Sequence, residues 1–353
     1  MKILVISNMY PSKNELVYGN FVKDQVEELR RDGHEVDISV ITKRDGNKLE
    51  KVWKYVKFWS HYTYLGLFKK YDFIHFHTVF PTTLFYPLVK GIKHPRTFVT
   101  VHGTDELHYT GVKKKIAAYA FKNSEKIIAV SDNLKTDLEK IYDLPSDQII
   151  SANCGVDRDM FVAYNDKEGF REKLGLDPSK KLILFLGRTY KEKGVYTFVD
   201  VVRKLKDRTD IQFAVVGNGP ETEQVVKEIK ETGVTFTYQP SIGKEKVHEW
   251  FNAADTFVFP TEKEAFGLVA LESVSCHTPV IASNVGGVPE IVRDGKSGFL
   301  VPVGDSEAIV NRLNQVLSDT SLYEQLQQGC EEVATEFSFE NQMKKVKACY
   351  VEK

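Results

Sequence analysis

Two glutamates stand eight residues apart at a predicted strand-to-helix junction in the second half of the chain. Glu264 follows the apolar run Thr256–Phe259, and Glu272 lies about two turns into the helical pattern that comes next. Gly267, between them, allows the backbone to approach a ligand closely. A helix N-terminus suits a phosphate or a sugar hydroxyl. Since carboxylates can accept paired hydrogen bonds from a diol, one glutamate could hold a hexose and the other a ribose. The spacing alone favours a capping acid and a surface glutamate.

A basic loop offers cations for the same kind of ligand. Arg188 and Lys193 follow the apolar run Leu182–Leu186, at the carboxyl end of a predicted strand. Ligands of doubly wound α/β domains bind beyond the carboxyl ends of the strands. An arginine fork and a lysine point charge can clamp a diphosphate there. The alternative is a solvated basic loop, but the paired glutamates favour a shared site.

Apolar runs that alternate with amphipathic stretches must position these residues. Continuous apolar strands with helices between them predict parallel sheets covered on both faces. The pattern stops near Asp157 and restarts at Lys181, which predicts two doubly wound domains that face each other across a cleft. The predicted strands are Lys2–Ser7, Val36–Ile41, Phe73–His77, Thr97–Val101, Lys126–Val130, Gln148–Ala152, Leu182–Leu186, Gln212–Val216, Val234–Thr237, Thr256–Phe259, Pro279–Ala282 and Gly298–Val301. A last helix is predicted over Phe339–Tyr350.

The composition is that of an ordinary globular protein. The 353 residues suggest about two domains, and 48 basic against 49 acidic residues give a net charge of −1. These values exclude a disordered chain, a disulfide scaffold and a nucleic-acid binder with a wholly basic surface. Four cysteines without a CxxC pair indicate a reducing compartment and no zinc site. Since neither a signal peptide nor a membrane span is visible, we expect a cytoplasmic protein, with or without attachment to a membrane surface.

The positive charge is concentrated in the first half. Residues 41–126 hold 16 basic and 6 acidic residues, and aromatic residues are interleaved with lysines from Lys51 to Lys70. One interpretation is a surface that lies on anionic lipid, with aromatic rings at the level of the headgroups. The other is a solvated helix with an aromatic core face. The sequence does not separate them.

Six motifs resemble, in type and order, those of retaining family 4 glycosyltransferases. The resemblance covers essentially the whole chain and implies the GT-B fold: an acceptor-side Rossmann-like domain over residues 1–160, a nucleotide-sugar-binding one over 161–336, and a last helix, 337–353, that crosses back to the first. The motifs are His102-Gly103-Thr104-Asp105, Ala129-Val130-Ser131, Asn153-Cys154-Gly155-Val156-Asp157, Gly187-Arg188 with Lys193-Gly194, Glu264-Ala265-Phe266-Gly267 with Glu272, and Gly286-Gly287-Val288-Pro289-Glu290.

The resemblance also implies roles for the residues on the donor side. Arg188 and Lys193 would bind the donor diphosphate, Glu264 the hexose and Glu272 the ribose. Backbone N–H groups around Phe266, Gly267 and Leu268 would reach the hexose and the phosphate. Ala265 stands where glycine is commoner in the family, which is a small change.

On the other domain, the resemblance implies that Gly19 approaches the phosphate. Many members have a second glycine where this chain has Asn20, a residue that tolerates left-handed geometry. His102 would sit beneath the transferring sugar, and Asp105 would lie near the acceptor. His102, Glu264, Arg188 and Lys193 are therefore the predicted catalytic residues.

No metal or cofactor is expected. Asp157-Arg158-Asp159 is a D-x-D string of the kind that metal-dependent glycosyltransferases use, but it lies in a segment that connects the domains in this family. His75 and His77 share one face of a strand, and no third ligand is visible. Gly217-Asn218-Gly219 lacks the third glycine of a dinucleotide-binding loop.

Three functions remain open from the sequence. The first is a glycosyltransferase that uses a UDP- or GDP-sugar as donor and a saccharide as acceptor. In the leading hypothesis the acceptor is linked to a lipid, and in the alternative it is small and soluble. The second is a nucleotide-sugar epimerase, and the third is a catalytically silent binder. The first function would belong to cell-surface polysaccharide synthesis. The protein would then be a peripheral protein at the inner face of the membrane.

Overall fold

Parallel sheets form the centre of each half in the computed structural model, which describes residues 1–12, 19–42 and 47–351. The chain divides into unit 1, which comprises Met1–Asn153 and Met343–Lys353, and unit 2, which comprises Cys154–Gln342. The described strands form one six-stranded sheet in each unit, and neighbouring strands are parallel. The predicted α/β class with two doubly wound sheets is confirmed. The domain boundaries at residues 160 and 336 stay a prediction.

The sheet of unit 1 has the strand order β2-β1-β3-β4-β5-β6. The chain leaves β1 for β2 on one side and returns to β3 on the other, so the order reverses beside β1. Such a reversal leaves a crevice at the carboxyl ends of the two central strands. The strands are β1 (Lys2–Ser7), β2 (Glu35–Val40), β3 (Phe73–His77), β4 (Arg96–Val101), β5 (Lys126–Ala129) and β6 (Ile149–Ser151).

Helices connect these strands, and their ends carry recognisable signals. The longest of them is capped by Asn47, whose side chain accepts from the N–H of Glu50 while the Glu50 carboxylate accepts from the N–H of Asn47. The helices are α1 (Asn20–Arg31), α2 (Lys48–Phe68), α3 (Tyr86–Lys93), α4 (Gly111–Lys122) and α5 (Asp132–Tyr142), and a 3-10 turn covers Asp105–His108.

The sheet of unit 2 has the order β12-β11-β10-β7-β8-β9, which reverses between β7 and β10. Its strands are β7 (Lys181–Leu186), β8 (Ile211–Val216), β9 (Phe236–Gln239), β10 (Thr256–Phe259), β11 (Val280–Ser283) and β12 (Gly298–Val301). Its helices are α6 (Lys167–Lys173), α7 (Val195–Lys204), α8 (Thr222–Glu231), α9 (Lys244–Ala253), α10 (Leu268–Ser275), α11 (Val288–Ile291), α12 (Ser306–Ser318) and α13 (Thr320–Glu336), with a 3-10 turn at Lys191–Lys193.

Burial along the central strands explains why their sequences are continuously apolar. Every residue of β3, β8 and β10 is buried. Successive side chains of a strand point to opposite faces, so both faces of each sheet are covered. The edge strands β2 and β6 of unit 1 are only partly buried, and all residues of the edge strand β9 in unit 2 are half-buried. The apolar signal of β9 is therefore weak, which explains why the prediction from the sequence, Val234–Thr237, begins two residues early.

The last helix, α14 (Phe339–Val351), begins in unit 2 and ends in unit 1. The hydroxyl of Ser338 accepts from the N–H of Asn341 and so caps its start. Near its end Tyr350 is buried and its ring packs against Phe73 and Phe98 of the unit 1 sheet. The predicted return of the chain to its first half is therefore present.

Candidate functional site

In unit 2, the loops that carry the predicted donor residues flank the reversal of the strand order. β7 and β10 are neighbours in the sheet. Arg188 and Lys193 follow β7, whereas Glu264 and Gly267 follow β10. Because parallel strands end at the same edge of the sheet, the basic loop and the paired-glutamate loop come together where ligands of such domains bind.

The two loops touch through their backbones at a position that requires glycine. Gly194 has a φ of 71°, and a Cβ there would lie 1.8 Å from the carbonyl oxygen of Pro260. The N–H of Glu262 also donates to the carbonyl oxygen of Glu192 at 2.8 Å. A side chain at residue 194 would push the loops apart, together with the charged groups that they carry.

Lys193 and Glu264 form an ion pair at this junction. The Nζ of Lys193 donates to Oε2 of Glu264 at 2.7 Å, and the two side chains are 26% and 19% exposed. The other carboxylate oxygen, Oε1, accepts from the N–H of Ala265 at 3.2 Å. A ligand can therefore reach both a cation and a hydrogen-bond acceptor, which are the groups that a phosphate and an adjacent sugar hydroxyl need.

Arg188 presents an exposed guanidinium at the carboxyl end of β7. Its Cζ lies 5.2 Å from the centre of the Tyr190 ring. In the part of the chain that the structure describes, no carboxylate forms an ion pair with it. Its donors are available to an incoming anion, which a guanidinium binds with two parallel hydrogen bonds.

The start of α10 is the third part of the site. Gly267 precedes the helix with a φ of 101°, which a residue with a side chain rarely adopts. Phe266 is buried and its ring meets that of Phe337 edge-on at 5.6 Å, which anchors the loop. The N–H groups of Leu268 and Val269 open the helix at its positive end, whereas those of Ala270 and Leu271 donate to the carbonyl oxygen of Gly267. The structure thus places the predicted backbone donors together.

Glu272 lies in the second turn of α10. Burial raises the pKa of its carboxyl to about 7, and the nearby Lys244 ammonium opposes that rise. Among the described residues, no side chain or N–H donates to this carboxyl. A half-buried acceptor without a partner gains hydrogen bonds when a ligand supplies hydroxyls. The two glutamates therefore differ, since Glu264 is ion-paired and Glu272 is not.

In unit 1, the predicted Gly19 and Asn20 stand at the start of α1. Gly19 has a φ of 79°, and a Cβ there would lie 2.5 Å from the carbonyl carbon of Met9. Asn20 is the first helical residue. The ring of Phe21 packs 4.4 Å from that of His102, so this helix start and the predicted catalytic histidine lie together.

His102 belongs to a cluster of three histidines. Its Nε2 lies 2.9 Å from Nδ1 of His77, and the two rings are stacked. The ring of His75 packs 4.3 Å from that of His77. Burial lowers the pKa of His77 to about 3 and that of His102 well below its usual range, so both rings are neutral near pH 7. One neutral ring donates to the other.

The cluster is tied to the last helix. Nδ1 of His75 lies 2.8 Å from the hydroxyl of Tyr350, and its Nε2 lies 2.7 Å from the hydroxyl of Thr100. Both hydroxyls can donate or accept, so the buried ring is satisfied in either neutral tautomer.

Asp105 and its neighbour Glu106 occupy a 3-10 turn after β4. Asp105 is exposed, as an acceptor-side residue would be. Glu106 is only 3% exposed, and burial raises the pKa of its carboxyl to about 7. Its Oε1 accepts from the N–H of Val79 at 3.4 Å. The sequence reasoning did not single it out.

The D-x-D string forms a turn. Oδ1 of Asp157 accepts from the N–H groups of Asp159 and Met160, and Arg158 forms an ion pair with Glu331 at 2.7 Å. Over residues 1–12, 19–42 and 47–351, no three His, Cys, Asp or Glu side chains are arranged to hold a metal ion. Activity without a metal stays a prediction.

His77 is the residue that the sequence reasoning missed as the partner of His102, and the burial of Glu106 next to Asp105 was missed as well. His77 alternates with His75 along β3, and that spacing could have indicated a shared face. Its partner His102 lies 25 residues further along the chain, directly after the end of β4. The two histidines come together only because β3 pairs with β4.

Two family models match the chain. The model described as "Glycosyltransferase Family 4" matches residues 19–160, and the one described as "Glycosyl transferases group 1" matches residues 166–333.

Two curated relatives and one solved structure illustrate the similarity. The alpha-maltose-1-phosphate synthase of Mycolicibacterium smegmatis is 30% identical over 56% of this chain and 54% of the relative. The N-acetyl-alpha-D-glucosaminyl L-malate synthase of Bacillus anthracis is 28% identical over 71% of this chain and 67% of the relative. The structure of Anabaena HepE in complex with UDP has a TM-score of 0.80 at 17% identity, and the match covers 99% of each chain. The match with the first relative thus spans about half of its length.

Proposed function

The chain belongs to glycosyltransferase family 4 and has the GT-B fold, and from this premise we propose that it moves a hexose from a UDP- or GDP-sugar to a saccharide acceptor with retention of anomeric configuration. The observation that carries the proposal is the ion pair of Lys193 with Glu264, 2.7 Å long, at the reversal of the unit 2 sheet. It places a cation for a phosphate beside an acceptor for sugar hydroxyls.

The leaving group explains the need for cations. In the transfer, the acceptor oxygen bonds to the anomeric carbon while the bond from that carbon to the diphosphate breaks. The nucleoside diphosphate leaves with the electron pair, and the proton of the acceptor hydroxyl passes to a phosphate oxygen. Fixed donors at the developing negative charge lower the barrier. Arg188, Lys193 and the N-terminus of α10 supply them, so the proposed reaction needs no metal.

The sugar and the nucleoside are held by different carboxylates in this proposal. Glu264 accepts from hexose hydroxyls, next to the cation that binds the phosphate. Glu272, which has no donor among the described residues, accepts from the ribose diol. The UDP complex of Anabaena HepE, which shares the fold, supports a uridine nucleotide as the first donor to test.

His102 lies on the acceptor side in this proposal. Its ring is neutral and held from one edge by His77, so it can meet an uncharged sugar without bringing a charge that must be desolvated. Gly19, Asn20 and Asp105 complete the groups that unit 1 contributes.

A lipid-linked acceptor is the first candidate, and the outward face of α2 supports it. That face carries apolar side chains that are at least 39% exposed, and three more lie nearby: Phe85, just before α3, and Leu88 and Ile92 of α3. The exposed apolar residues of α2 are Leu49, Val52, Trp53, Val56, Tyr64 and Phe68. Exposed apolar groups near lysines are typical of a surface that lies on anionic lipid.

The rest of α2 fits the other interpretation of the aromatic stretch. Phe58 and Tyr62 are buried in the core of unit 1. The helix therefore has both an aromatic core face and an exposed apolar face. Lys43 and Arg44 of the basic stretch lie outside the described residues. Where the structure describes the chain, no helix has the length and apolar character to cross a bilayer.

A small soluble acceptor is the second candidate, because the names of two relatives describe small products. One is named for maltose 1-phosphate as its product and the other for L-malate. Both names contain a small anion.

Turnover of UDP- and GDP-sugars, measured with and without acceptors, tests the proposal. We expect nucleoside diphosphate release that requires an acceptor and a product with retained configuration. Interconversion of sugar nucleotides without an acceptor would indicate an epimerase instead. Binding without any turnover would indicate a silent binder.

Sedimentation with vesicles separates the two acceptor candidates. We expect binding to anionic vesicles, reversal by high salt and little binding to neutral ones. Replacing the exposed Lys113, Lys114 and Lys115 of α4 by Glu should weaken binding, whereas UDP affinity, which depends on unit 2, should not change. If the protein ignores anionic vesicles at low salt, the soluble acceptor is the better candidate.

A further inference from the structure

A groove of about 530 Å³ lies between the carboxyl end of β2 and helix α2 in unit 1. Ser39 and Ile41 line it on the strand side, and Trp53, Lys57 and His61 on the helix side. Sites for small molecules have volumes of about 300–1,000 Å³ and combine an aromatic wall with a few polar groups. The groove has both the size and this composition.

The groove adjoins the crevice of the unit 1 sheet. The N–H of Ile41, in its wall, donates to the carbonyl oxygen of Ser7 at 3.0 Å. Ser7 ends β1 and pairs in register with His77, at the end of β3. The groove thus begins beside the two central strands, on the side of the sheet where ligands bind.

Its helix wall is cationic. Lys54, Lys57 and His61 recur at intervals of three and four residues, so they share one face of α2. Lys57 is exposed, and among the described residues its ammonium has no partner. Nδ1 of His61 lies 3.0 Å from the hydroxyl of Ser39, which orients the ring and leaves Nε2 for a ligand.

The acidic residue in the groove wall has another partner. The Glu50 carboxylate accepts from the N–H of Asn47 at 3.2 Å and caps α2. Its charge lies at the positive end of that helix, where it is stabilised. Lys57 therefore keeps its positive charge, since no described carboxylate pairs with it.

Trp53 adds a flat apolar surface. Its side chain is 64% exposed, although tryptophan is usually well buried. An aromatic wall next to cations suits a ligand that has both an apolar face and an anionic group. A sugar ring that bears a phosphate has these two parts.

We propose that this groove binds a phosphate-bearing sugar of the acceptor, with Lys57 and His61 on the phosphate and Trp53 against the ring. The inference rests on the proposed function, since it names the class of acceptor for that reaction. A phosphate gains charge-assisted hydrogen bonds from lysine and histidine. It can belong to a free sugar phosphate or to the phosphate that links a saccharide to a lipid.

The indole N–H resonance of Trp53 is a direct probe of the groove. Trp59 donates its indole N–H to the carbonyl oxygen of Pro81, and Trp250 is buried, so their signals report on other places. Trp53→Phe assigns the signal. Glucose 6-phosphate and glucose form a matched pair of probes that differ only in the phosphate.

We expect a saturable shift of this resonance with glucose 6-phosphate and none with glucose. Lys57→Ala should weaken the binding at least tenfold. Lys93→Ala, which removes an exposed lysine from α3, is the matched control and should leave it unchanged. This result supports the groove and identifies a soluble sugar phosphate.

A second arm tests the lipid source. If glucose 6-phosphate gives no shift, we expect the protein to sediment with phosphatidylcholine vesicles that contain a polyprenyl phosphate. The Lys57→Ala variant should not sediment with them. The proposal is overturned if neither probe binds, or if Lys93→Ala weakens binding as much as Lys57→Ala. Calorimetry with UDP on the same samples distinguishes the proposed donor site from the proposed groove. Absence of UDP binding would contradict the donor site but would not change the result for the groove.

Discussion

Lys193 donates to Glu264 across the two loops at the centre of the unit 2 sheet, with 2.7 Å between Nζ and Oε2. The cation proposed for the diphosphate is thus paired with the carboxylate proposed for the hexose before a donor is present. A phosphate that binds Lys193 competes with Glu264 for the ammonium and frees the carboxylate oxygen to accept from the sugar. In the proposed donor complex, binding of the phosphate and binding of the hexose would therefore be coupled through one hydrogen bond.

Removal of either cation should slow turnover without unfolding the protein. Loss of one preorganised contact to a developing charge costs about 3 kcal/mol, which is roughly a hundredfold in rate. Arg188→Ala and Lys193→Ala should each show this loss in steady-state assays. Lys206→Ala, an exposed lysine of the same unit, should behave as wild type. Near-wild-type turnover in both loop variants would remove the diphosphate assignment.

The two glutamates should differ in their effect on the free nucleotide. Glu272→Gln should weaken UDP or GDP binding about tenfold, since one hydrogen bond to a charged group is worth about 1.5 kcal/mol. Glu264→Gln should leave that affinity equal or higher, because it frees Lys193 for the phosphate, and should lower turnover instead. Calorimetry with the nucleoside diphosphate measures both. Equal losses of affinity would contradict the division between ribose and hexose.

Glu272 should also make stability depend on pH. Burial raises the pKa of its carboxyl to about 7 in the folded protein, above the usual 4.5. A raised carboxyl pKa favours folding at low pH, and this contribution is lost as the pH rises through 7. At pH 8, the melting temperature of the Glu272→Gln variant should therefore be higher than that of the wild type, on the order of 2–4 °C. At pH 4, the two melting temperatures should be the same. A gain in melting temperature that is the same at both pH values would refute this reading of Glu272.

His77 should act as a positioning residue for His102. His77→Phe keeps a ring but removes the 2.9 Å hydrogen bond, and we expect about a tenfold lower kcat with an unchanged KM for the donor. His77→Asn keeps a polar group close to the position of Nδ1 and should recover most of the rate. Nitrogen NMR of the imidazoles should show one tautomer of His102 in the wild type and a mixture in His77→Phe. A single unchanged tautomer in that variant would exclude this role.

Activity should survive EDTA. The charge that a cation would bring to the diphosphate is proposed to come from Arg188 and Lys193, and Asp157 is engaged in a turn. Initial rates before and after chelation measure this. Complete loss of activity that Mg²⁺ or Mn²⁺ restores would show that the reaction depends on a metal.

The central strands of both sheets could be predicted from the sequence because they are buried on both faces. β1, β3 and β10 have the predicted bounds, since their apolar runs leave no other environment. The positions of the proposed donor residues could also be predicted, because Arg188, Lys193 and Glu264 lie in loops just after such strands; their roles stay a prediction.

Contacts between distant segments could not be predicted in the same way. His77 meets His102 and His75 meets Tyr350 only because β3 pairs with β4 and the last helix packs on that sheet. The burial of Glu106 has no sequence signal, since its neighbour Asp105 is exposed. These features depend on tertiary packing, not on local pattern.

The hydrogen bond between Tyr350 and His75 has a consequence for biosynthesis. Unit 1 contains residues 1–153 but also the end of α14, where the ring of Tyr350 packs against those of Phe73 and Phe98. While the ribosome is still translating residues 154–342, the nascent first half lacks that side chain. Its sheet therefore waits for the end of α14 to emerge before its core closes, although its own strands were made first. Unit 2 contains its whole sheet within residues 154–342 and has no such delay, so the half that is synthesised second can finish folding first.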